Sequence, residues 1–399
     1  MGIGDFRDKF AIVGLGVTKM GHQPGISARA FEVEAARLAI EDAGLKREDI
    51  EACIHSKADG SVGGTYDWSD YLPRVMGLPV KVYFTICRGG AGATLSIVAA
   101  AKLLEMGIAK YVLISYGLNE WSASKIDPMG GHQMGAYYEK RGLWGPAFGC
   151  LDAVHIHSAY MSRHMYEYGT TPRQLGAISV SIRKWACLNP AAYMYGRPIT
   201  IDDYEKSPII AWPYRILDCC LVSDGGTAFI ITTAERAKDL KKPPIFIMGI
   251  GFGEQEAKLW WEKANYTQLA VETAKEHAFK EAGIELKDID AAQFYDCFSG
   301  EVLLSLEDYG WCKKGEGGSF VEAGNIGPGG SIPVNTGGGM LSSHYQIDFT
   351  GLAEAVIQLR GEGGARQIKD AEICLVTGHG GEMITPGMCA IHSTLILRR

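Results

Sequence analysis

FEVEAARLAIEDAGLKREDIEACIHSKADG, residues 31–60, returns in the second half of the chain as LAVETAKEHAFKEAGIELKDIDAAQFYDCFSG, residues 269–300. Ala43-Gly44 and Asp49-Ile50 of the first copy align without a gap on Ala282-Gly283 and Asp288-Ile289 of the second. In each copy apolar residues recur at helical spacing up to the glycine, which suits a helix C-cap, and a short apolar strand follows the Asp-Ile turn. Identities at one fixed offset, in matching local contexts, speak against a coincidence of helix patterning. One helix-turn-strand unit is used twice.

The later parts of the halves correspond as well. GGAGATLSIVAAAKLLEMGIAKYVLISYG (89–117) runs glycine loop, helix, turn and buried strand, and NTGGGMLSSHYQIDFTGLAEAVIQLRG (335–361) followed by AEICLVTGHGG (371–381) does the same. Strands alternating with helices predict a mixed α/β fold with helices on both faces of a sheet. Two similar halves, 1–238 and 239–399, are expected to be related by a pseudo-twofold axis. A stretch of about residues 119–205 breaks the repeat and reads as a long inserted loop region, a lid or binding segment. Its Trp121, Tyr137, Tyr138 and Trp144 are candidates to line a pocket for an aromatic group, or to pack the insert onto its own domain.

At 399 residues, with Lys+Arg 39 against Asp+Glu 46 and no basic block, the chain carries no electrostatic footprint for nucleic acid. No apolar run is long enough to span a membrane and the start lacks a signal-peptide core, so a cytoplasmic location is expected. The ten cysteines form no CxxC pair, which fits a reduced compartment. His155, His157 and His164 lie close in sequence with no cysteine or acidic cluster beside them, so they read as helical histidines and no metal is expected in this chain.

Four segments in order resemble the thiolase superfamily, and within it the sterol-carrier-protein-associated type: YGTTPRQLGAISVSIRKWACLNPAA (168–192), SPIIAWPYRILDCCLVSDGGTA (207–228), the YDCF box (295–298) and GGSIPVNTGGGMLSSHYQIDFTGLAEAVIQLRG (329–361). The resemblance covers nearly the whole chain and implies a thiolase fold, two α/β/α/β/α halves with a long inserted loop. It implies chemistry on a carbon–carbon bond next to a coenzyme A thioester, where donors must hold an enolate oxygen. Coenzyme A would be the cosubstrate.

The resemblance also points to four loops. In the first, the family nucleophile falls near Gly90, so Cys87 lies about three residues early; it is either the nucleophile, activated by the helix dipole and Arg88, or an inert buried strand-end thiol. In the second, Tyr295 stands where the family has histidine. In the third, Tyr345 has the histidine's register and His344 the chemistry suited to neutral pH, and only one of these neighbours is expected to face the site. In the fourth, His379 replaces a cysteine in a glycine-rich turn.

Two reactions follow from these departures. Thiolytic cleavage of a β-ketoacyl-CoA needs a nucleophile, for which Cys87 is the placed candidate. The cysteine-bearing segment resembles the thiolase-type subunit of benzoylsuccinyl-CoA thiolase, implying 2-benzoylsuccinyl-CoA cleaved to benzoyl-CoA and succinyl-CoA, and this reading is favoured. Retro-aldol cleavage of a β-hydroxyacyl-CoA needs only a base and enolate support, and the tyrosine exchanges resemble steroid side-chain aldolases. A non-catalytic acyl-CoA-binding scaffold is the third reading. Both enzymatic relatives imply a small zinc-ribbon/OB-fold partner protein, and the superfamily implies a homodimer core, with YFTIC (83–87) as the pairing strand.

Overall fold

The repeated Ala-Gly pairs end two helices, as their spacing requires. Ala28–Ala43 is capped at its start by Ser27, whose hydroxyl accepts from the Ala30 amide, and at its end by Gly44 with φ +72°. Val271–Ala282 ends in the same way at Gly283, φ +63°. Only glycine enters this left-handed region without a steric cost. The computed structural model describes residues 5–57, 70–126, 153–254, 265–380 and 391–399. Tyr137, Tyr138 and Trp144 lie outside the described residues, as does Gly381.

The strands are β1 (Phe10–Val17), β2 (Ala52–Lys57), β3 (Val82–Cys87), β4 (Val112–Asn119), β5 (Ile209–Ala211), β6 (Tyr214–Arg215), β7 (Asp224–Thr233), β8 (Ile245–Glu254), β9 (Ala291–Gln293), β10 (Ile373–Gly380) and β11 (Ile391–Arg398). Nine of them pair in the order β3-β2-β4-β7-β1-β8-β11-β10-β9, while β5 and β6 form a separate two-stranded unit. Strand β2 is parallel to β3 and β4, and β7 is antiparallel to β4 and β1. On the other side β11 is antiparallel to β8 and β10, and β10 is parallel to β9. The two patterns match strand for strand: β1 with β8, β7 with β11, β4 with β10, β2 with β9.

Matched strands β1 and β8 meet at the centre, antiparallel, through only two partner pairs, Ala11 with Phe246 and Ile12 with Ile245. A twofold axis normal to the sheet, passing between equivalent strands, makes them antiparallel. The helices repeat the relation. A Cβ on Gly16 of β1 would lie 1.9 Å from the Ala35 carbonyl of Ala28–Ala43, and one on Gly251 of β8 would lie 1.9 Å from the Ala274 carbonyl of Val271–Ala282. Each outer helix therefore rests directly on strand backbone.

Gly92–Glu105 and Phe349–Leu359 occupy the corresponding places further along each half. Phe349, Leu352, Ala355 and Val356 of the second are buried, in one core with Ile97 and Ala101 of the first. Ser299–Tyr309 is buried along almost its whole length. No helix among the described residues is long and apolar enough to cross a membrane.

Candidate active site

Each of the four loops binds the next, and the links close on themselves. The helix Gly92–Glu105 starts with unpaired amides, and Asp348 of the third loop accepts two of them, Ala93 N at 3.0 Å and Thr94 N at 3.1 Å. Asp296 of the second loop caps the third, accepting from Met340 N at 2.8 Å and Leu341 N at 3.2 Å. Tyr295 N donates to Thr377 Oγ1 of the fourth loop at 2.9 Å. His379 of the fourth loop returns to the first by a backbone bridge with Gly90. The approach there needs small residues, since a Cβ on Gly378 would meet the Gly90 carbonyl at 2.3 Å and one on Gly380 its amide at 2.7 Å.

Burial pushes both capping carboxyls up to about 7, against the backbone hydrogen bonds that hold them ionised. The ring of loops is thus fastened by two carboxyls that titrate near neutrality.

Tyr295 and Tyr345 face each other inside the ring, their hydroxyl oxygens 3.5 Å apart. That is longer than a strong O–H···O bond, and it lets one oxygen of a bound molecule sit about 2.7 Å from both. Burial holds both phenols well above 10, reinforced at Tyr295 by the neighbouring Tyr345 and at Tyr345 by Tyr116, so they are protonated donors at neutral pH. Ser223 fixes the backbone of Tyr345, accepting from its amide at 2.8 Å.

His344 lies on the cavity beside this pair, a space of about 480 Å³ that it lines with Asn189, Tyr193 and, at the exposed end, Lys19 and Arg197; Tyr295 borders the same cavity. Burial lowers His344 to about 4, leaving it uncharged at neutral pH. Of the two neighbours, Tyr345 approaches the Tyr295 hydroxyl and His344 lines the cavity that Tyr295 borders.

Cys87 is the last residue of β3, at the sheet edge, and it is exposed. It is therefore not a buried strand-end thiol. The two features expected to activate it are taken by carboxylates: Arg88 pairs with Glu254, and the helix N-terminus is capped by Asp348. Gly90, where the family nucleophile belongs, packs on Tyr295, and a Cβ there would lie 2.3 Å from Tyr295 Cε2 and 2.4 Å from Cζ. The nearest atom to that Cβ is the His379 carbonyl oxygen at 2.0 Å, so the Tyr295 ring and the backbone of the fourth loop together leave no room for a side chain at Gly90.

His379 is buried, with its ring 6.5 Å from that of Tyr295. Its Nε2 is 3.7 Å from Glu301 Oε2, and Glu301 Oε1 is 2.5 Å from His157 Nδ1. The expectation that no acid joins the histidines of residues 155–164 is corrected here: Glu301 meets His157, and Glu307 meets His164 at 2.8 Å. Both acids belong to Ser299–Tyr309, about 140 residues downstream. The sequence could have suggested the pairing, because Glu301 and Glu307 flank the largely apolar run Val302–Leu306 of this helix, where a buried charge needs a partner.

Residues 254–399 match the Thiolase C-terminal domain-like family. The chain is 33% identical over 378 residues to a steroid side-chain-cleaving aldolase of Thermomonospora curvata, covering 93% of this chain and 95% of that one. It is 27% identical over 403 residues to the benzoylsuccinyl-CoA thiolase subunit BbsB of Thauera aromatica, covering 97% of each. Among solved structures, the Ltp2-ChsH2(DUF35) aldolase superposes with a TM-score of 0.85 at 31% identity, covering 99% of both chains. The chain belongs to the thiolase superfamily, of the sterol-carrier-protein-associated type. Its relatives include both acyltransferases and carbon–carbon lyases that act on acyl-CoA.

Proposed function

We propose that this chain cleaves a β-hydroxyacyl-CoA by a retro-aldol reaction, with Tyr295 and Tyr345 as its acid–base and oxyanion-binding pair. The observation that carries the reading is the contact of Gly90 with the Tyr295 ring, which leaves a pair of phenol donors where a thiolate would stand. Two donors aimed at one point suit an oxygen that gains charge as the bond breaks.

The proton balance fits neutral phenols. The β-hydroxyl loses its proton as its carbon becomes a carbonyl, the Cα–Cβ bond breaks, and Cα regains a proton. Two adjoining hydroxyls pass that proton in relay without either becoming a stable tyrosinate. His379, behind Tyr295, orients and polarises it. Coenzyme A enters here as the thioester handle of the substrate, and free coenzyme A is not consumed.

The similarity to the steroid side-chain-cleaving aldolase supports aldol cleavage of a side chain as the reaction class. The solved relative named for two components supports a partner protein here, for which a small zinc-ribbon/OB-fold protein is our expectation.

A second reading, thiolytic cleavage with coenzyme A as cosubstrate, is supported by the exposed Cys87 thiol immediately before the first loop and by the likeness to the benzoylsuccinyl-CoA thiolase subunit. The deciding experiment offers the native assembly a β-hydroxyacyl-CoA and a β-ketoacyl-CoA, each with and without free coenzyme A. Release of a ketone or aldehyde from the first without free coenzyme A is expected. Turnover of the β-ketoacyl-CoA alone, strictly requiring free coenzyme A, would replace the aldolase by the thiolase. No turnover of either across a panel of acyl groups, with tight binding retained, would leave a scaffold.

A further inference from the structure

His157, Glu301 and His379 come from three separate elements, the helix Ala153–Tyr168, the first turn of Ser299–Tyr309 and the end of β10. All three are buried, Glu301 and His379 at 1% exposure and His157 at 4%. One ligand-capable atom from each lies within 4.8 Å of the other two. We propose that these residues form a metal site of the two-histidine, one-carboxylate type, placed directly behind Tyr295.

Chemistry and spacing both favour an ion. A carboxylate taken out of water is costly unless positive charge accompanies it, and imidazole nitrogens and a carboxylate oxygen together are the donor set that zinc and divalent iron accept. With metal–ligand bonds of about 2.0–2.2 Å, tetrahedral ligand atoms stand roughly 3.3 Å apart. His157 Nδ1 is 2.5 Å from Glu301 Oε1 and His379 Nε2 is 3.7 Å from the other carboxylate oxygen, Oε2, and with one donor atom taken from each residue the set lies within 4.8 Å. Small rotations of three side chains would even out these separations, the ion taking the place of the hydrogen now shared by His157 and Glu301.

The surroundings hold the donors in position. The His157 ring packs 4.8 Å from Phe298 and 5.6 Å from Tyr160, and Phe298 stacks on Tyr214 at 5.3 Å. His379 is pinned by its backbone bridge to Gly90 and by its register with His392 across β10 and β11. Three protein ligands leave a coordination position free, as in sites where metal acts on a bound molecule rather than only on the fold. An ion held by His379 would set positive charge behind the phenol of Tyr295, favouring a developing enolate by through-space attraction. The site stands independently of which carbon–carbon bond is cleaved.

The test measures metal, not turnover. The purified full chain is stripped with a chelator, then equilibrated with zinc or cobalt(II), and bound metal is counted per chain. One equivalent is expected, with the visible d–d bands of a four- or five-coordinate cobalt ion. Glu301→Gln and His379→Gln keep size and hydrogen bonding, and each should weaken cobalt binding at least about a hundredfold while far-UV circular dichroism and melting stay near wild type. Absence of a bound equivalent in the wild type overturns the proposal, leaving His157–Glu301 as a plain buried ion pair. Equal retention by wild type and both variants overturns it as well, because the metal would then sit on other residues. If both variants unfold, His157→Gln carries the same two readings, and cobalt bands unchanged in it would overturn the site.

Discussion

A Cβ added to Gly90 would lie 2.3 Å from Cε2 of Tyr295. The His379 carbonyl oxygen would be nearer still, at 2.0 Å, so the first, second and fourth loops pack here with no room for a side chain. Gly90→Ala is expected to displace the Tyr295 ring, destabilise the fold by about 1–3 kcal/mol and lower kcat by about a hundredfold or more. Gly90→Cys should do the same and gain no thiolytic activity. Thermal melting and single-turnover kinetics check both; a fully active Gly90→Cys enzyme would contradict this packing.

Tyr295→Phe and Tyr345→Phe each remove one of two donors without changing packing, and each should slow cleavage by about a hundredfold with little change in KM. Cys87→Ala should cost less than threefold. Mass spectrometry of enzyme quenched during turnover should find no acyl adduct on the peptide holding Cys87. An adduct there, with an inactive Cys87→Ala variant, would return the mechanism to covalent catalysis.

The pH dependence of stability follows from Asp296 and Asp348, both raised by burial to about 7 from 3.8. Between these values the folded state holds protons that the unfolded state has lost. Their contribution to stability is therefore present below pH 4 and declines as pH rises through 7. Urea unfolding at a series of pH values should show this falling component, and Asp296→Asn should flatten it. A component that rises across the same window would mean that the amide bonds outweigh burial.

Among the described residues strand β3 pairs with β2 at one end of the sheet, and its Tyr83 and Cys87 are exposed. Such an edge needs cover. Light scattering is expected to give a homodimer at micromolar concentration, and Thr85→Pro, which removes a backbone donor from the strand, should yield monomers. A wild-type monomer would refute pairing through β3.

Local rules made much of the fold legible. The Ala43-Gly44 and Ala282-Gly283 helix ends and the strands after the Asp-Ile turns are set by short-range backbone preferences, so the repeat could be read directly. Tyr295, Tyr345 and His379 were named through the resemblance of their loops to the family's, and the structure brings the Tyr345 hydroxyl and the His379 ring beside Tyr295. Glu301 and Asp348 were missed for the opposite reason. Their partners, His157 and the amides of Ala93 and Thr94, lie 144 and about 255 positions away, and no local pattern connects them. The split between His344 and Tyr345 was equally beyond sequence, since it depends on the five-residue π-turn Gly339–Ser343 that rotates the chain ahead of them.

The four loops are joined head to tail by Asp348, Asp296, Thr377 and the Gly90–His379 bridge. A circuit of this kind is not modular. Transplanting one loop from a relative with different chemistry would sever two junctions at once, whereas exchanging all four would carry every junction along. Between a cysteine-based and a tyrosine-based enzyme on this scaffold, single-loop chimeras should therefore fail and whole-ring grafts should work.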